Sequence, residues 1–172
     1  AITDHGVMFG VVDFYEAAVA EGIHPVIGCE VYTAARTRFD KDSDSDRNNG
    51  HLILLAETNE GYKNLVKIVS RAYTEGFYYK PRTDNDLLRK YSGGIIATSA
   101  CLAGKVQQAL LRNDYEEAKK IALEYEEIFG KGNFFLEIQD QGLPEEAEIR
   151  DNLIRLSEET GIGLVATNDV HY

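Results

Sequence analysis

Apolar residues along this chain alternate between two spacings. Met8, Val11, Val12, Tyr15, Ala18 and Val19 recur three or four apart, the pattern of an amphipathic helix, and Gly22 is placed to end it. The compact apolar run of residues 25–32 predicts a buried strand, and residues 51–56 predict another. Thr58 or Asn59 caps a following helix whose apolar face is Tyr62, Leu65, Val66, Val69, Ala72 and Tyr73. Residues 77–82 are aromatic and basic, and read as extended ahead of Pro81. A short helix at 84–90, a strand at 94–98 and a second short helix to 111 come next. Ala118, Ile121, Ala122, Tyr125, Ile128 and Phe129 then mark one helix face, residues 134–138 a strand, and Pro144 the first turn of a helix with Ile149, Leu153 and Leu156 inward. Gly161 and Gly163 bracket the turn into a last strand.

Strands thus alternate with helices, which predicts an α/β fold of βα units with a parallel sheet, closed or nearly closed into a barrel. Functional groups in such barrels stand at the C-terminal ends of strands. No repeat or low-complexity segment divides the chain, so residues 1–172 read as a single domain. Residues 36–49 are charged and lack apolar periodicity, and are expected to form a mobile surface loop. Asp40, Asp42, Asp44 and Asp46 alternate there like the start of a calcium loop. Counted from each Asp, however, no Gly falls sixth and no Glu twelfth, which removes that reading.

The 172 residues are 44% hydrophobic and 27% charged, an ordinary globular balance. The formal net charge of −11 argues against a domain that grips nucleic acid by itself. An acidic domain still acts on phosphate esters where metal ions supply the positive charge. No apolar run approaches the roughly 20 residues that cross a bilayer, and no secretory signal is recognisable. Cys29 and Cys101 do not make a disulfide framework, and the composition reads as cytoplasmic. Residues 1–3 read as the tail of a strand already under way, so the chain is expected to be a piece of a longer protein.

The chemistry lies where apolar runs end. Residues 163–167 lead into Asn168-Asp169-Val170-His171. Residues two apart in an extended chain share a side, which brings Asp169 and His171 together in a pairing suited to a divalent transition metal. His5 follows a strand end, Glu30 lies within a strand, Cys101 follows one, and His51 opens one. Six potential ligands exceed what one tetrahedral zinc needs, so a cluster of metals fits the count. For each residue taken alone, a turn, a core thiol or a buried ion pair is a competing role. Asp4 is better placed to orient a ligand histidine than to bind metal. Lys80 and Arg82 are candidates for a substrate phosphate. Cys29 faces the other side from Glu30 and is assigned to the core, and His24 to the surface.

With those residues stand Ile2-Thr3-Asp4-His5-Gly6, Gly28-Cys29-Glu30-Val31-Tyr32, His51-Leu52, Glu75-Gly76-Phe77-Tyr78-Tyr79-Lys80-Pro81-Arg82, Ser99-Ala100-Cys101-Leu102-Ala103-Gly104, Phe135-Leu136-Glu137-Ile138-Gln139-Asp140 and Thr167-Asn168-Asp169-Val170-His171-Tyr172. Together they resemble the PHP (polymerase and histidinol phosphatase) domain of the alpha subunits of bacterial replicative, family C, DNA polymerases. The resemblance implies a distorted seven-stranded, TIM-like βα barrel, here without its first strand. It implies up to three divalent ions, zinc first, with manganese or magnesium as alternatives. The implied metal ligands are His5, Glu30, His51, Cys101, Asp169 and His171, with Asp169, His171 and Asp4 as the catalytic candidates. A His-x-His pair and one more family ligand precede the position of Ala1. The implied metal set of this stretch is therefore incomplete, and the stretch alone is expected to be inactive. The implied activity is a metal-dependent phosphoesterase, a 3′–5′ proofreading exonuclease on a primer end, in a cytoplasmic polymerase that works with other replicase subunits and without a membrane. A non-catalytic structural or docking module, and a free-standing phosphatase such as histidinol phosphatase, are the alternatives.

Overall fold

The structure, a computed structural model, describes residues 1–171. Its architecture is mixed α/β, with six strands and six helices among the described residues. The chain divides into two compact units, residues 1–96 and 97–172.

The first unit is built around strand β1 (Gly28–Thr33), all of whose residues are buried. Along one edge β2 (Gly50–Ala56) runs antiparallel, with Leu54 opposite Cys29 and His51 opposite Tyr32. The other edge is shared. Ile2 and His5 bridge in parallel to Ile27 and Glu30, and beyond them β3 (Arg82–Thr83) pairs in parallel with Tyr32 and Thr33.

The antiparallel β1–β2 pair corrects the expectation of a wholly parallel sheet. A parallel return needs a crossover along the strand, usually a helix. The connection here has no helix and is anchored in place. Arg82 is fully buried and donates to the carbonyls of Arg38, Asp40 and Asp46 in this connection. Arg36 grips Asp46 with two nitrogens, and Arg38 reaches Asp84 and Glu75. Most side chains of residues 36–49 are exposed, but Asp46 is fully buried. The Arg36 guanidinium beside it holds its carboxyl down at about 2.

Helix α1 (Val11–Ala20) forms where the periodicity predicts it, yet only Val11 and Ala18 are buried. Val12, Tyr15 and Val19 are more than half exposed, so only part of the apolar face read from sequence is covered. Helix α2 (Asn59–Thr74) starts at Thr58, whose hydroxyl oxygen accepts from Gly61 N. Its covered face is Gly61, Asn64, Leu65, Ile68 and Ala72, while Tyr62, Val66 and Tyr73 are partly exposed. The rotation has a steric cause. Gly61 lies against the backbone of Gly94, where an added Cβ would come within 1.7 Å of the carbonyl oxygen. Asn64 Nδ2 then donates to Gly93 O at 2.9 Å. Helix α3 (Asn85–Tyr91) is capped by Asp84, which accepts from Leu87 N.

Strand β4 (Ile95–Thr98) crosses the division between the units. In the second unit it pairs in parallel with β5 (Phe134–Gln139), and β5 with β6 (Gly163–Thr167). Helices α4 (Lys105–Leu111) and α5 (Tyr115–Phe129) connect β4 to β5, and α6 (Pro144–Thr160) connects β5 to β6. These are the crossovers that parallel pairing requires. Ala118, Ala122, Tyr125, Ile128 and Phe129 of α5, and Ile149, Leu153 and Leu156 of α6, are buried as the spacing predicts. No helix among the described residues is long and apolar enough to cross a membrane.

Candidate metal centre

Strand alternation builds the centre in the first unit. Glu30 and Tyr32 lie two apart on β1 and share a face. His51 opposes Tyr32 across the antiparallel pair and joins that face. His5 arrives through its bridge to Glu30. Glu30 is 2% exposed. Its Oε2 lies 3.2 Å from His5 Nε2, and its Oε1 lies 2.7 Å from His51 Nδ1. The two imidazoles meet edge to face, with centroids 5.2 Å apart. One ligand atom from each of His5, Glu30 and His51 can be chosen so that all lie within 4.8 Å of one another. Two imidazole nitrogens and a carboxylate converging on a point are a donor set that fits zinc or a similar divalent ion. A buried carboxylate also needs partners of its own, and the two histidines supply them.

His51 opens its strand rather than closing it. Because β2 runs opposite to β1, its beginning lies beside the end of β1, so His51 reaches the same place as groups that follow strand ends. Tyr32 completes the centre and was not singled out in the sequence. Its ring stacks beside His5 at 6.0 Å and meets His51 edge-on at 5.2 Å. The signal that could have found it is its two-residue spacing from Glu30. Gly6, at φ +66, turns the chain so closely that a Cβ would lie 3.0 Å from both Tyr32 and Pro81. Lys80 holds its ammonium 5.3 Å from the centre of the Tyr32 ring.

Two expected roles are corrected. Asp4 does not orient a ligand histidine: its exposed carboxylate lies near Gly10, ahead of α1, and its backbone carbonyl accepts from Glu30 N and Cys29 Sγ. Arg82 is not available to a phosphate: it donates to the carbonyls of Gly76, Asp46, Arg38 and Asp40 and lies beside the Tyr78 ring. Burial lowers its pKa, with Asp46 and Asp40 opposing. Cys29 is a core thiol, pushed up to about 12 by burial. Both cysteines are reduced.

Cys101, Asp169 and His171 belong to the second unit. Parallel β4 and β6 deliver their following loops to the C-terminal end of the three strands, so Cys101 and the Asp169–His171 pair leave from the same end. Cys101 is half-buried in a turn fixed by the buried Gln107, whose Nε2 donates to Ser99 Oγ at 2.7 Å and Ala100 O at 3.0 Å. Ala100 takes φ +62 in that turn. The Asp169–His171 convergence arises otherwise than expected. The chain is not extended there, because Asp169 takes φ +46. The resulting bend places His171 Nδ1 3.7 Å from Asp169 Oδ1 and 2.7 Å from the Asp169 carbonyl oxygen. Tyr172, the last residue of that run, lies outside the described residues. Sequence reasoning also passed over Glu137. This buried carboxylate accepts from the hydroxyls of Thr98 and Thr167 and from Gln139 Nε2, and so ties together the ends of β4, β5 and β6.

Comparison with known proteins gives these groups a context. The chain is 47% identical over 173 residues to the DNA polymerase III subunit alpha of Treponema pallidum. It is 46% identical over 174 residues to that of Thermus aquaticus, and 48% identical over 176 to that of Deinococcus radiodurans. Each alignment covers all of this chain but only 13–15% of the relative. The PHP domain model matches residues 1–141, a span that holds His5, Glu30, His51 and Cys101 and stops short of Asp169 and His171. That match takes in most of the sequence, and the chain belongs to the PHP domain family.

Proposed function

We propose that this chain is the PHP domain of a bacterial replicative DNA polymerase of the III alpha type, and that it is a metal-dependent phosphoesterase acting as a 3′–5′ exonuclease on a primer end. The observation that carries the reading is the convergence of His5 and His51 on the buried carboxylate of Glu30. His5, Glu30 and His51 would hold a divalent ion, zinc first by donor type. Cys101, Asp169 and His171 are proposed as further ligands on their donor chemistry, Asp169 and His171 also as catalytic residues. A bound divalent ion lowers the pKa of water to supply a nucleophile and neutralises charge on the phosphoryl oxygens. Within the chain, Lys80 anchors the substrate phosphate, and the Tyr32 ring walls the site against bulk water. Hydrolysis joins the water oxygen to phosphorus and breaks the P–O3′ bond, releasing a nucleoside 5′-monophosphate and leaving a 3′-hydroxyl. The reading includes the distorted βα barrel of the PHP fold, DNA and other replicase subunits as partners, and a cytoplasmic setting.

A second reading rests on the same geometry. Glu30 is already hydrogen-bonded to both histidines, an arrangement that also serves a structural or docking module without metal. One experiment separates the two: a mismatched primer incubated with the polymerase carrying this sequence, with and without chelator, compared with its Glu30→Gln form. Chelator-sensitive removal of the terminal nucleotide, reduced at least about a hundredfold by Glu30→Gln, is expected. Removal indifferent to both would overturn the exonuclease reading.

A further inference from the structure

Residues 77–82 make an aromatic and basic reversal beside the candidate centre. Tyr78 N donates to Lys80 O at 3.0 Å, and the turn leaves Tyr79 at φ +59. A β-carbon is disfavoured at that angle, which suits glycine. Tyrosine stands there, a residue 61% exposed. Tyr78 meets the Tyr79 ring edge-on at 4.7 Å, and the Arg47 guanidinium lies 5.6 Å from its centre. The next residue, Lys80, holds its ammonium over Tyr32, which in turn contacts His5 and His51. Tyr79 is thus the chain neighbour of a cation that lies over the ring contacting both histidines. Of the nearby acids, Asp46 is paired with Arg36, and Asp84 and Glu75 with Arg38, while the Asp42 carboxylate accepts from the amides of Asp44 and Ser45.

We infer that Tyr79, Arg47 and Lys80 bind a single-stranded DNA end, with a base stacked on the Tyr79 ring and phosphates held by the two cations. The occupant rests on the phosphoesterase reading above. The choice of ligand follows from the surface. Every base offers a π face, so one exposed ring serves any sequence, and flanking cations follow the phosphates. An apolar peptide would bury Lys80 and Arg47 without counter-charge. The local cations also reconcile a DNA ligand with a chain of net charge −11, because the contact is confined to one reversal.

The probe is a 5′-fluorescein-labelled oligothymidylate of about eight nucleotides, bound to the chain in the presence of EDTA so that no hydrolysis intervenes, and read by fluorescence anisotropy. Tyr79→Ala is expected to weaken binding about tenfold, and Tyr79→Phe to leave it unchanged. Tyr79→Gly relieves the backbone while removing the ring, and is expected to bind as weakly as Tyr79→Ala. An oligonucleotide with an abasic 3′ terminus should bind the unaltered chain about tenfold more weakly and be insensitive to Tyr79→Ala. Lys80→Gln should lower the salt dependence by about one counterion. Failure of the unaltered chain to bind, or binding indifferent to Tyr79→Ala, overturns the inference. The two readings separate cleanly. Tyr79-dependent binding without metal-dependent hydrolysis would leave this platform standing and remove the phosphoesterase. Hydrolysis with Tyr79-independent binding would do the reverse.

Discussion

Replacing Arg82 by leucine removes a fully buried guanidinium with four backbone acceptors, Gly76 O at 3.0 Å, Asp46 O at 3.2 Å, Arg38 O at 3.2 Å and Asp40 O at 2.7 Å. A hydrogen bond from a charged donor contributes about 1.5–3 kcal/mol, while holding the charge out of water costs several kcal/mol. Removing one partner of such a buried set costs about 3–5 kcal/mol. Leucine recovers about 1–2 kcal/mol through apolar burial but leaves the carbonyls without a donor. The net loss is expected to be about 3 kcal/mol. With a urea slope of about 1–3 kcal/mol per molar, the unfolding midpoint should fall by about 1–3 M. Urea titration followed by far-ultraviolet circular dichroism measures this directly. Arg82→Lys, which keeps the charge and reaches fewer carbonyls, should lie between. A midpoint unchanged in Arg82→Leu would refute the anchoring role and return Arg82 to the candidates for phosphate binding.

In the polymerase carrying this sequence, Asp169→Asn should abolish removal of a mismatched 3′ nucleotide and leave primer extension nearly intact; exonuclease surviving the change would place that activity elsewhere. Iodoacetamide at mildly alkaline pH should alkylate the half-buried Cys101 and leave Cys29, whose thiol burial pushes up to about 12, with peptide mass spectrometry as the readout; equal modification of both would contradict the packing around Cys29. Asp46 should titrate at about 2 rather than at its ordinary 3.8. Since the folded value is the lower one, its contribution to stability is complete above the ordinary value and is lost as the pH falls through about 2. Arg36→Ala should move the Asp46 carboxyl shift seen by NMR back toward its ordinary titration, and an unmoved titration would show that Arg36 is not the cause.

The second unit was legible because local and global signals agree there. The spacing of Ala118, Ala122 and Tyr125, Pro144 at a helix start and Gly161 at a helix end each say what the fold requires. The first unit was harder for physical reasons. On α2, Gly61 and Asn64 face inward because two backbones meet at Gly94, a contact that apolar periodicity does not register. The side chains of residues 36–49 look solvated one by one, and the distant Arg82 that anchors their carbonyls reads in sequence as a candidate for a substrate phosphate. The candidate ligands His5, Glu30 and His51 were visible as residue types near strand ends. Their convergence was expected from that placement, but the route was not, because His51 reaches Glu30 from the start of a β2 that runs antiparallel. Asp169 and His171 converge through a bend at a positive φ that alternation along a strand does not foresee.

Strand β1 is paired along both edges and buried along its whole length. Its amides should therefore open only with the larger unfolding events and exchange with deuterium among the slowest of the first unit, while β3, two residues long, exchanges early. Glu30 would then hold its place through local fluctuations that loosen its surroundings. Any ligand exchange at the centre would proceed by displacement of the histidine-bearing segments around a fixed carboxylate.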